Sequence, residues 1–363
     1  MRMAFWQQGG NALRIINMLE IVERWLPVLL VLVLGTLWWF YQQPDRAVDH
    51  LQRGINYVSY DPEEYGSPSA KEDLKYLKSL GVDWVAVVVT WYQSNPMATD
   101  IASDPLRTPT DASLTGLLRD LHALNLKVFL RPMVDSKDGM WRGSIKFDRE
   151  ADWSAWFASY ERFILHYAKI AAQNHVSLYS VGVELEDTVR RDDTWRSVID
   201  HVRQVFNGPL TYSANWDGFS EVPFWDALDY VGIDAYFDLV LDANAEPTQE
   251  ALKVAWQQWV DQIGQFSDEN KKRILLTEIG MQSIQGGSRH PWDWSIEAPI
   301  SLQEQATYYE ATFKVFWDKP WLAGLYWWAV LPDPDKRGSN DDSYSPREKP
   351  AENVIKAWYK GSD

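Results

Sequence analysis

Two glutamates at the ends of apolar segments are the residues of this sequence best suited to catalysis. Glu184 follows the apolar residues 180–183, and Glu278 follows residues 275–277. A buried apolar strand rarely ends in a carboxylate for packing reasons, because removing the charge from water is costly. Two carboxyl groups about 5 to 5.5 Å apart cleave a glycosidic bond with retention, one as acid and then base, the other as nucleophile. The pair predicts a glycoside hydrolase that needs no cofactor.

Glu186 is an alternative to Glu184 as the acid/base. The two residues are two positions apart, so both side chains project to the same side of an extended strand. Whichever acts must be protonated near neutral pH, which burial and a second negative charge both promote. The spacing alone does not decide whether Glu184 or Glu186 is the acid/base.

The elements that must position these carboxylates are predicted from alternating apolar runs and helical segments after Leu51. The eight runs are residues 54–60, 84–91, 127–134, 178–185, 209–216, 230–236, 273–280 and 322–330. Eight β-α units over about 250 residues or more predict an α/β protein with a (β/α)8 TIM barrel. The rival doubly wound sheet would show a glycine-rich turn after its first strand, whereas residues 57–61 read Tyr-Val-Ser-Tyr-Asp.

Active sites of such barrels lie where the strands end. Strands four and seven are nearly opposite, so Glu184 and Glu278 are predicted to face each other across the barrel mouth. Arg131 either orients substrate or pairs with Asp135. Tryptophans offer flat apolar faces to sugar rings, and each candidate could instead pack within a loop. The candidates are Trp91, Trp141, Trp216, Trp292 and Trp294, with Trp216 first. The predicted substrate-binding residues at strand ends are Trp91, Arg131, Asn215, Trp216, Tyr236, Trp327 and Trp328.

Several segments resemble clan A glycoside hydrolases and, within that clan, glycoside hydrolase family 113. They are Gly-Val-Glu-Leu at 182–185, Thr-Glu-Ile-Gly at 277–280, a tyrosine after the sixth strand and tryptophan on the eighth. The resemblance runs from about residue 53 to 359. Characterised members of the family are endo-acting β-1,4-mannanases, so the resemblance implies that activity on an oligo- or polysaccharide.

The resemblance also implies residue roles. Glu184, in preference to Glu186, would be the acid/base and Glu278 the nucleophile. Tyr236 would hydrogen-bond the nucleophile, and Trp328 or Trp327 would lie under the sugar beside the cleaved bond. Most of the clan places an asparagine before the acid/base, where this chain has a valine, so the substrate preference stays open.

Two rival functions accompany this prediction. Within the same class, the protein would be an endo-hydrolase of another β-glycan or of an exopolysaccharide. From a different class, it would be a catalytically inactive barrel that binds glycan at the cell surface.

The N-terminal segment predicts a membrane anchor. Residues 25–44 carry no charge and end in an aromatic cluster at 38–41, and about 17 to 25 apolar residues span a bilayer. No small-x-small cleavage pattern follows. Three arginines before the segment and two just after it favour an internal N-terminus. We therefore expect an anchor and linker at 1–50 and a catalytic domain at 51–363, on the periplasmic or extracellular side of the cell membrane.

Composition excludes several other classes. The formal net charge is −16 and no basic block occurs, which argues against nucleic acid as a partner. No P-loop is present, so no nucleotide is expected. With no cysteine and six scattered histidines, no metal site is predicted. The loop 333–342 only weakly resembles a calcium loop, and a solvated acidic loop is expected there.

Overall fold

The computed structural model describes residues 50–239 and 247–361. Eight parallel strands close into a barrel in the order in which they occur in the chain. They are β1 Gln52–Val58, β2 Trp84–Gln93, β3 Lys127–Ser136, β4 Leu178–Val183, β5 Leu210–Asn215, β6 Val231–Asp234, β7 Ile274–Ile279 and β8 Leu322–Val330. The predicted (β/α)8 barrel is confirmed, and each strand overlaps the apolar run that predicted it.

An α-helix follows every strand except β5 within the described residues. The helices are α1 Pro68–Ser79, α2 Asp111–Ala123, α3 Glu150–Gln173, α4 Asp192–Val205, α5 Gln249–Asn270, α6 Leu302–Phe316 and α7 Pro350–Lys360. Between β5 and β6 the chain instead forms two single-turn 3-10 helices, Phe219–Glu221 and Trp225–Ala227. Gly218 and Pro223 interrupt this connection, and both residues disfavour a helix interior.

Side-chain caps fix where three of the helices begin. The hydroxyls of Ser67, Thr110 and Thr248 each accept a hydrogen bond from a backbone N–H of the first turn of α1, α2 and α5. Such caps satisfy donors that have no partner within the helix.

Most tryptophans lie in the layer between the barrel and its helices. Trp156, Trp195 and Trp256 are fully buried there, among the side chains of the largest apolar cluster. Large aromatic side chains supply much of the burial energy of such a core. The high tryptophan content therefore reflects packing first and sugar binding only at selected positions.

The side chains that fill the barrel are apolar at two levels along its axis and charged at the level between them. On β3 the successive inward residues are Phe129, Arg131 and Met133. Phe129 belongs to an apolar cluster that five strands share, and Met133 to a second apolar cluster nearer the strand ends. Arg131, between them, is fully buried. A buried charge persists only where it is paired, so this level of the barrel must hold its partners.

The predicted membrane anchor at 25–44 lies outside the described residues. Within the ranges described above, no helix is both long and apolar enough to cross a membrane.

Candidate active site

Glu278 lies on β7 with only 5% of its surface exposed. Its Oε1 accepts a hydrogen bond from Arg131 Nη1 at 2.7 Å, and its Oε2 accepts one from the Tyr236 hydroxyl at 2.8 Å. Charge-assisted donors on both oxygens fix the carboxylate and favour its ionised form. The structure thus brings together three residues that the sequence singled out.

The Arg131 side chain hydrogen-bonds buried carboxylates and has no surface that a substrate could reach. Its guanidinium is fully buried and also donates to Asn56 Oδ1 at 2.8 Å and to both oxygens of Asp234, at 2.9 and 3.1 Å. The prediction that Arg131 binds substrate is wrong, because no part of the side chain reaches the surface. The alternative pairing with Asp135 is also wrong, since Asp135 pairs elsewhere.

Asp234 and Glu278 share one arginine below the barrel mouth. They are cross-strand neighbours on β6 and β7, and Thr277 Oγ1 donates to Asp234 Oδ1 at 2.7 Å. Burial raises the pKa of Asp234 well above its usual range, and the Arg131 charge opposes that rise. Burial likewise raises the pKa of Glu278, helped by the charge of Glu184 and opposed by Arg131 and Tyr236.

Glu184 follows the last residue of β4 and adopts a left-handed backbone conformation, φ 50°. This conformation is uncommon for a residue with a side chain, costs about 1–3 kcal/mol, and concentrates at functional sites. The Glu184 N–H donates to the Ser213 carbonyl at 2.8 Å, which ties the residue to β5. The backbone therefore holds Glu184 at the rim, just beyond the strand.

Two neighbouring side chains bind a single oxygen of Glu184. Arg142 Nη1 donates to Oε2 at 2.8 Å, and Trp141 Nε1 donates to the same oxygen at 3.3 Å. Oε1 receives no hydrogen bond from the described part of the chain and remains available to a substrate. Burial and a nearby negative charge were expected to keep the acid protonated, but this carboxyl is also paired with the Arg142 guanidinium.

Asp135, at the end of β3, is the second partner of Arg142. Its Oδ1 accepts from Arg142 Nε at 3.1 Å and also from Nη2. The charges of Asp135, Arg142 and Glu278 all act on nearby Tyr60. Tyr60 is 43% exposed, so its ring is part of the accessible mouth.

Glu184 and Glu186 have different surroundings. The charge of Glu184 acts on Glu278 and Asp234. Glu186 begins a 3-10 helix and bonds Asn215, and burial with the charges of Asp217 and Asp187 raises its pKa. The charge of Glu184 therefore contributes to the raised pKa of Glu278. Its role as acid/base stays a prediction.

The predicted aromatic contacts separate into two groups. Trp328 packs at the mouth against the inner apolar cluster that contains Val183. Trp327 points the other way: it is fully buried and stacks on Tyr309 of α6, with ring centroids 3.6 Å apart. Of the two tryptophans, only Trp328 lies at the mouth, because Trp327 is in the layer under the helices. The predicted role of packing under the sugar therefore applies to Trp328 and stays a prediction.

Trp91, Asn215 and Trp216 do not join this cluster. Trp91 donates to the Tyr167 hydroxyl at 2.9 Å and packs on α3, so it belongs to the helix layer. Trp216 makes edge contacts with Phe237 and with Trp259 of α5. Asn215 bonds Asp217 and Glu186. The structure gives none of the three a contact with Glu184 or Glu278.

Two residues that flank the two carboxylates, Tyr60 and Arg142, were not predicted from the sequence. Asn56 and Asp234 lie toward the carboxyl ends of β1 and β6, where the barrel prediction places the site. Trp141 and Arg142 lie in the loop after β3, where no periodicity predicts which side chain turns inward.

The acidic loop after β8 contains a buried ion pair, whereas the sequence predicts a solvated loop. Asp341 is buried, and its Oδ2 pairs with the buried Lys349 ammonium at 2.9 Å. Burial lowers the pKa of Lys349, an effect that Asp341 opposes. The expectation of a solvated loop is therefore wrong at Asp341. Within residues 50–239 and 247–361, no group of three or more acidic or histidine side chains is placed to hold a metal ion.

A closed (β/α)8 barrel with one glutamate after β4 and another on β7, both at the strand ends, defines a barrel glycoside hydrolase. The chain belongs to glycoside hydrolase family 113, whose model matches residues 57–349. It is accordingly a glycoside hydrolase acting on O-glycosyl bonds.

Solved structures agree with this assignment. A GH113 β-1,4-mannanase complex is 29% identical, with 86% of this chain and 99% of that chain covered and a TM-score of 0.79. The GH113 β-mannanase of Alicyclobacillus acidocaldarius, in complex with ManMIm, is also 29% identical, with 86% and 98% covered and a TM-score of 0.79.

A β-glucuronidase of Ruminococcus gnavus shares the fold alone, at 14% identity and a TM-score of 0.56, with 84% of this chain and 49% of that chain covered. Comparison of the sequence with curated proteins gives no match.

Proposed function

We propose that this protein is a retaining endo-β-1,4-mannanase in which Glu278 is the nucleophile and Glu184 the acid/base. Membership of family 113 and the likeness to two β-mannanase structures support the substrate. The observation that carries the residue roles is the contrast between the two carboxyls. Glu278 is buried with donors on both oxygens, whereas Glu184 stands at the rim with one oxygen free.

The proposed mechanism is a double displacement. In the first step a Glu278 oxygen attacks the anomeric carbon while the Glu184 carboxyl gives its proton to the glycosidic oxygen, so the leaving sugar departs as an alcohol. The product is a glycosyl ester of Glu278. In the second step the Glu184 carboxylate removes a proton from water, the resulting oxygen attacks the anomeric carbon, and the ester bond breaks to release Glu278.

Arg131 and Tyr236 act on the nucleophile throughout this cycle. Before attack, they hold the carboxylate in one orientation through the 2.7 Å and 2.8 Å hydrogen bonds. Esterification removes the negative charge of Glu278. Asp234, which holds the other guanidinium nitrogen at 2.9 Å, then remains as the counter-charge of Arg131, so the buried cation stays paired.

Product stereochemistry tests the proposal. Proton NMR of products from mannopentaose, with glucan, xylan and galactan oligosaccharides in parallel, should show the β-anomer first and only from the mannan substrate. An α-anomer would exclude retention, and turnover of another glycan alone would replace mannan as the substrate. Binding without turnover of any glycan, unchanged in Glu278→Gln, would favour the inactive scaffold.

Separate substitutions test the choice of acid/base. Glu184→Gln should abolish hydrolysis of unactivated oligosaccharides, because the proton donor is lost. Glu186→Gln should retain most activity, since its side chain bonds Asn215 on the β5 side. An active Glu184→Gln enzyme with an inactive Glu186→Gln enzyme would reverse the assignment. Azide rescue of the corresponding alanine variant on an aryl β-mannobioside, in which azide displaces the nucleophile from the glycosyl-enzyme to give the β-glycosyl azide, would identify a lost acid/base.

We also propose that residues 25–44 anchor the protein in the cell membrane with the barrel on the periplasmic or extracellular side. The uncharged length of this segment and the arginines that precede it support the proposal.

A further inference from the structure

Trp141 is an exposed tryptophan fixed beside the rim glutamate. It lies in the loop after β3, next to the 3-10 helix Arg142–Ser144, and is 45% exposed. Its indole nitrogen donates to Glu184 Oε2 at 3.3 Å. An exposed indole that is attached to one carboxylate presents an apolar surface at a defined distance from that carboxylate.

Gly143 holds one part of the Trp141 ring in place. A Cβ atom at Gly143 would lie 2.3 Å from the ring carbon Cη2 and 2.4 Å from Cζ2. The indole therefore packs directly on the backbone of Gly143, where any larger residue would displace it. Trp141 is nevertheless 45% exposed. The ring is thus held by a backbone contact and a hydrogen bond while part of its surface remains accessible, as a stacking platform requires.

The other exposed tryptophans of the described residues, Trp292 at 47% and Trp294 at 75%, lie in the loop after β7, where Trp292 donates to Asp238 Oδ1 at 2.8 Å. Trp328, on β8, is only partly exposed and packs at the mouth with the inner cluster. Trp141 is on the opposite side, on the loop after β3, and its polar contact is with the proposed acid.

We propose that Trp141 is the platform on which the first sugar of the leaving group stacks. This inference rests on the proposed function. A general acid must touch the glycosidic oxygen, and the leaving pyranose is bonded to that oxygen. Trp141 follows β3, which is opposite β7 and Glu278 in the barrel order. A ring at that place within hydrogen-bond reach of the acid therefore meets the leaving sugar and not the sugar attacked by Glu278. Apolar sugar faces pack on aromatic rings and so remove the indole surface from water.

Two substrates separate an effect on the leaving-group side of the site from a general loss of activity. Mannopentaose carries leaving sugars that could stack, whereas β-mannobiosyl fluoride has a leaving group of one atom. Trp141→Ala should lower kcat/KM for mannopentaose by about 10- to 100-fold, the range of one lost stacking contact. On the fluoride it should leave kcat/KM within about threefold, because no sugar occupies the platform.

Two further variants distinguish stacking from the hydrogen bond. Trp141→Phe keeps a ring but loses the N–H donor, and should retain most of the mannopentaose activity. Gly143→Ala keeps Trp141 but displaces its ring, and should reproduce the selective loss. Trp292→Ala is the matched control, since it removes an exposed tryptophan whose indole bonds Asp238, and should leave the ratio of the two activities unchanged.

Each outcome decides the proposal. Selective loss in Trp141→Ala and Gly143→Ala supports it. Equal losses on both substrates would indicate a general defect and would overturn it. A Trp141→Phe enzyme as impaired as Trp141→Ala would mean that Trp141 acts through its hydrogen bond to Glu184, and would also overturn it. Unchanged mannopentaose activity in Trp141→Ala would also overturn it. Failure of the proposed function is distinct, because the unaltered protein would then hydrolyse neither substrate.

Discussion

The two glutamates differ in how many groups hold them. Glu278 is fixed from both oxygens by partners on β3 and β6, all below the surface. Glu184 is held on one oxygen by a loop and keeps the other free. A nucleophile gains from rigid orientation, whereas an acid that becomes a base must exchange protons with substrate and water. The difference in support matches the difference in proposed role.

Tyr236→Phe tests the support of the nucleophile. The Tyr236 hydroxyl lowers the pKa of Glu278, so its removal raises that pKa. Because the nucleophile must be ionised, we expect the acidic limb of the kcat/KM profile to move to higher pH. At the optimum, kcat/KM should fall by about tenfold or more, since a hydrogen bond to a charged group contributes about 1.5–3 kcal/mol. The measurement is kcat/KM for mannopentaose against pH.

Tyr344→Phe is the control for this experiment. Its ring contacts Tyr236, but its hydroxyl donates to the Pro291 carbonyl at 2.7 Å. It should leave the position of the acidic limb unchanged. An acidic limb that moves equally in both variants would show that ring packing, and not the hydrogen bond, sets the titration.

Arg131→Met tests the buried charge cluster through stability. The substitution leaves two buried carboxylates without their cation, which should cost about 3–5 kcal/mol of unfolding free energy near neutral pH. Without Arg131, burial raises the folded-state pKa of Asp234 and Glu278 above the unfolded values. Such groups favour the folded state when protonated, so the deficit should shrink as the pH falls toward 4.5. Urea denaturation at several pH values measures it.

Arg196→Met provides the comparison for an exposed ion pair. Arg196 bonds Asp226, whose side chain is largely exposed. Exposed pairs contribute about 0–1 kcal/mol, so we expect a small effect. A loss in Arg131→Met no larger than this, or one that grows toward low pH, would contradict the assigned role of the cluster.

At the residue scale, the sequence predicted both carboxylates and the tyrosine, because strand ends in a barrel converge on one rim. It did not predict which way a neighbouring side chain turns. Trp327 and Trp328 are adjacent, and strand alternation sends one into the helix layer and the other to the mouth. The phase of that alternation is fixed by packing against α6, and a one-residue shift would exchange the two.

At the element scale, β-strands were predictable and loops were not. All eight strands follow from apolar runs, whereas the eight predicted β-α units include a helix after β5 that the structure replaces with two 3-10 turns. The loop after β3 carries Trp141 and Arg142 to Glu184 through contacts distant in sequence. No local sequence pattern encodes such contacts, so the hydrogen bonds of Trp141 and Arg142 to Glu184 could not be predicted from the sequence.

Gly232→Ala tests how tightly the elements pack around the site. A Cβ at this position in β6 would lie 2.4 Å from the Tyr212 carbonyl oxygen, which is backbone and cannot move aside. Shifting β6 would also displace Asp234, two residues further on. We expect a loss of about 1–3 kcal/mol in unfolding free energy, together with reduced kcat.

Gly116→Ala is the matched control on a helix. Gly116 lies inside α2, and a Cβ there would meet only the end of the Arg119 side chain, at 3.8 Å. The substitution should stabilise the protein by about 0.5–1 kcal/mol and leave activity unchanged. Equal effects of the two substitutions on stability would show that β6 adjusts more freely than its contacts indicate.

At the scale of the whole molecule, charge is unevenly distributed along the chain. The first 44 residues hold three arginines and two glutamates, a net charge of +1, so the residues that follow carry a net charge of −17. An acidic surface repels polyanions more than neutral glycans. This agrees with a neutral mannan as the proposed substrate and gives no attraction to anionic lipid. Any membrane attachment must therefore come from the apolar segment.

The full-length protein should consequently fractionate with membranes and resist extraction by alkaline carbonate. Replacing Leu30, Leu32 and Leu34 by arginine should release it, because each charge near the centre of a span costs about 2.5–3.5 kcal/mol. Hydrolysis of soluble mannopentaose should persist, since the described site residues all lie between β1 and β8. Protease added to intact spheroplasts should digest the barrel. Protection of the barrel in that experiment would place it in the cytoplasm and reverse the proposed orientation, and release of the unaltered protein by carbonate would exclude the anchor.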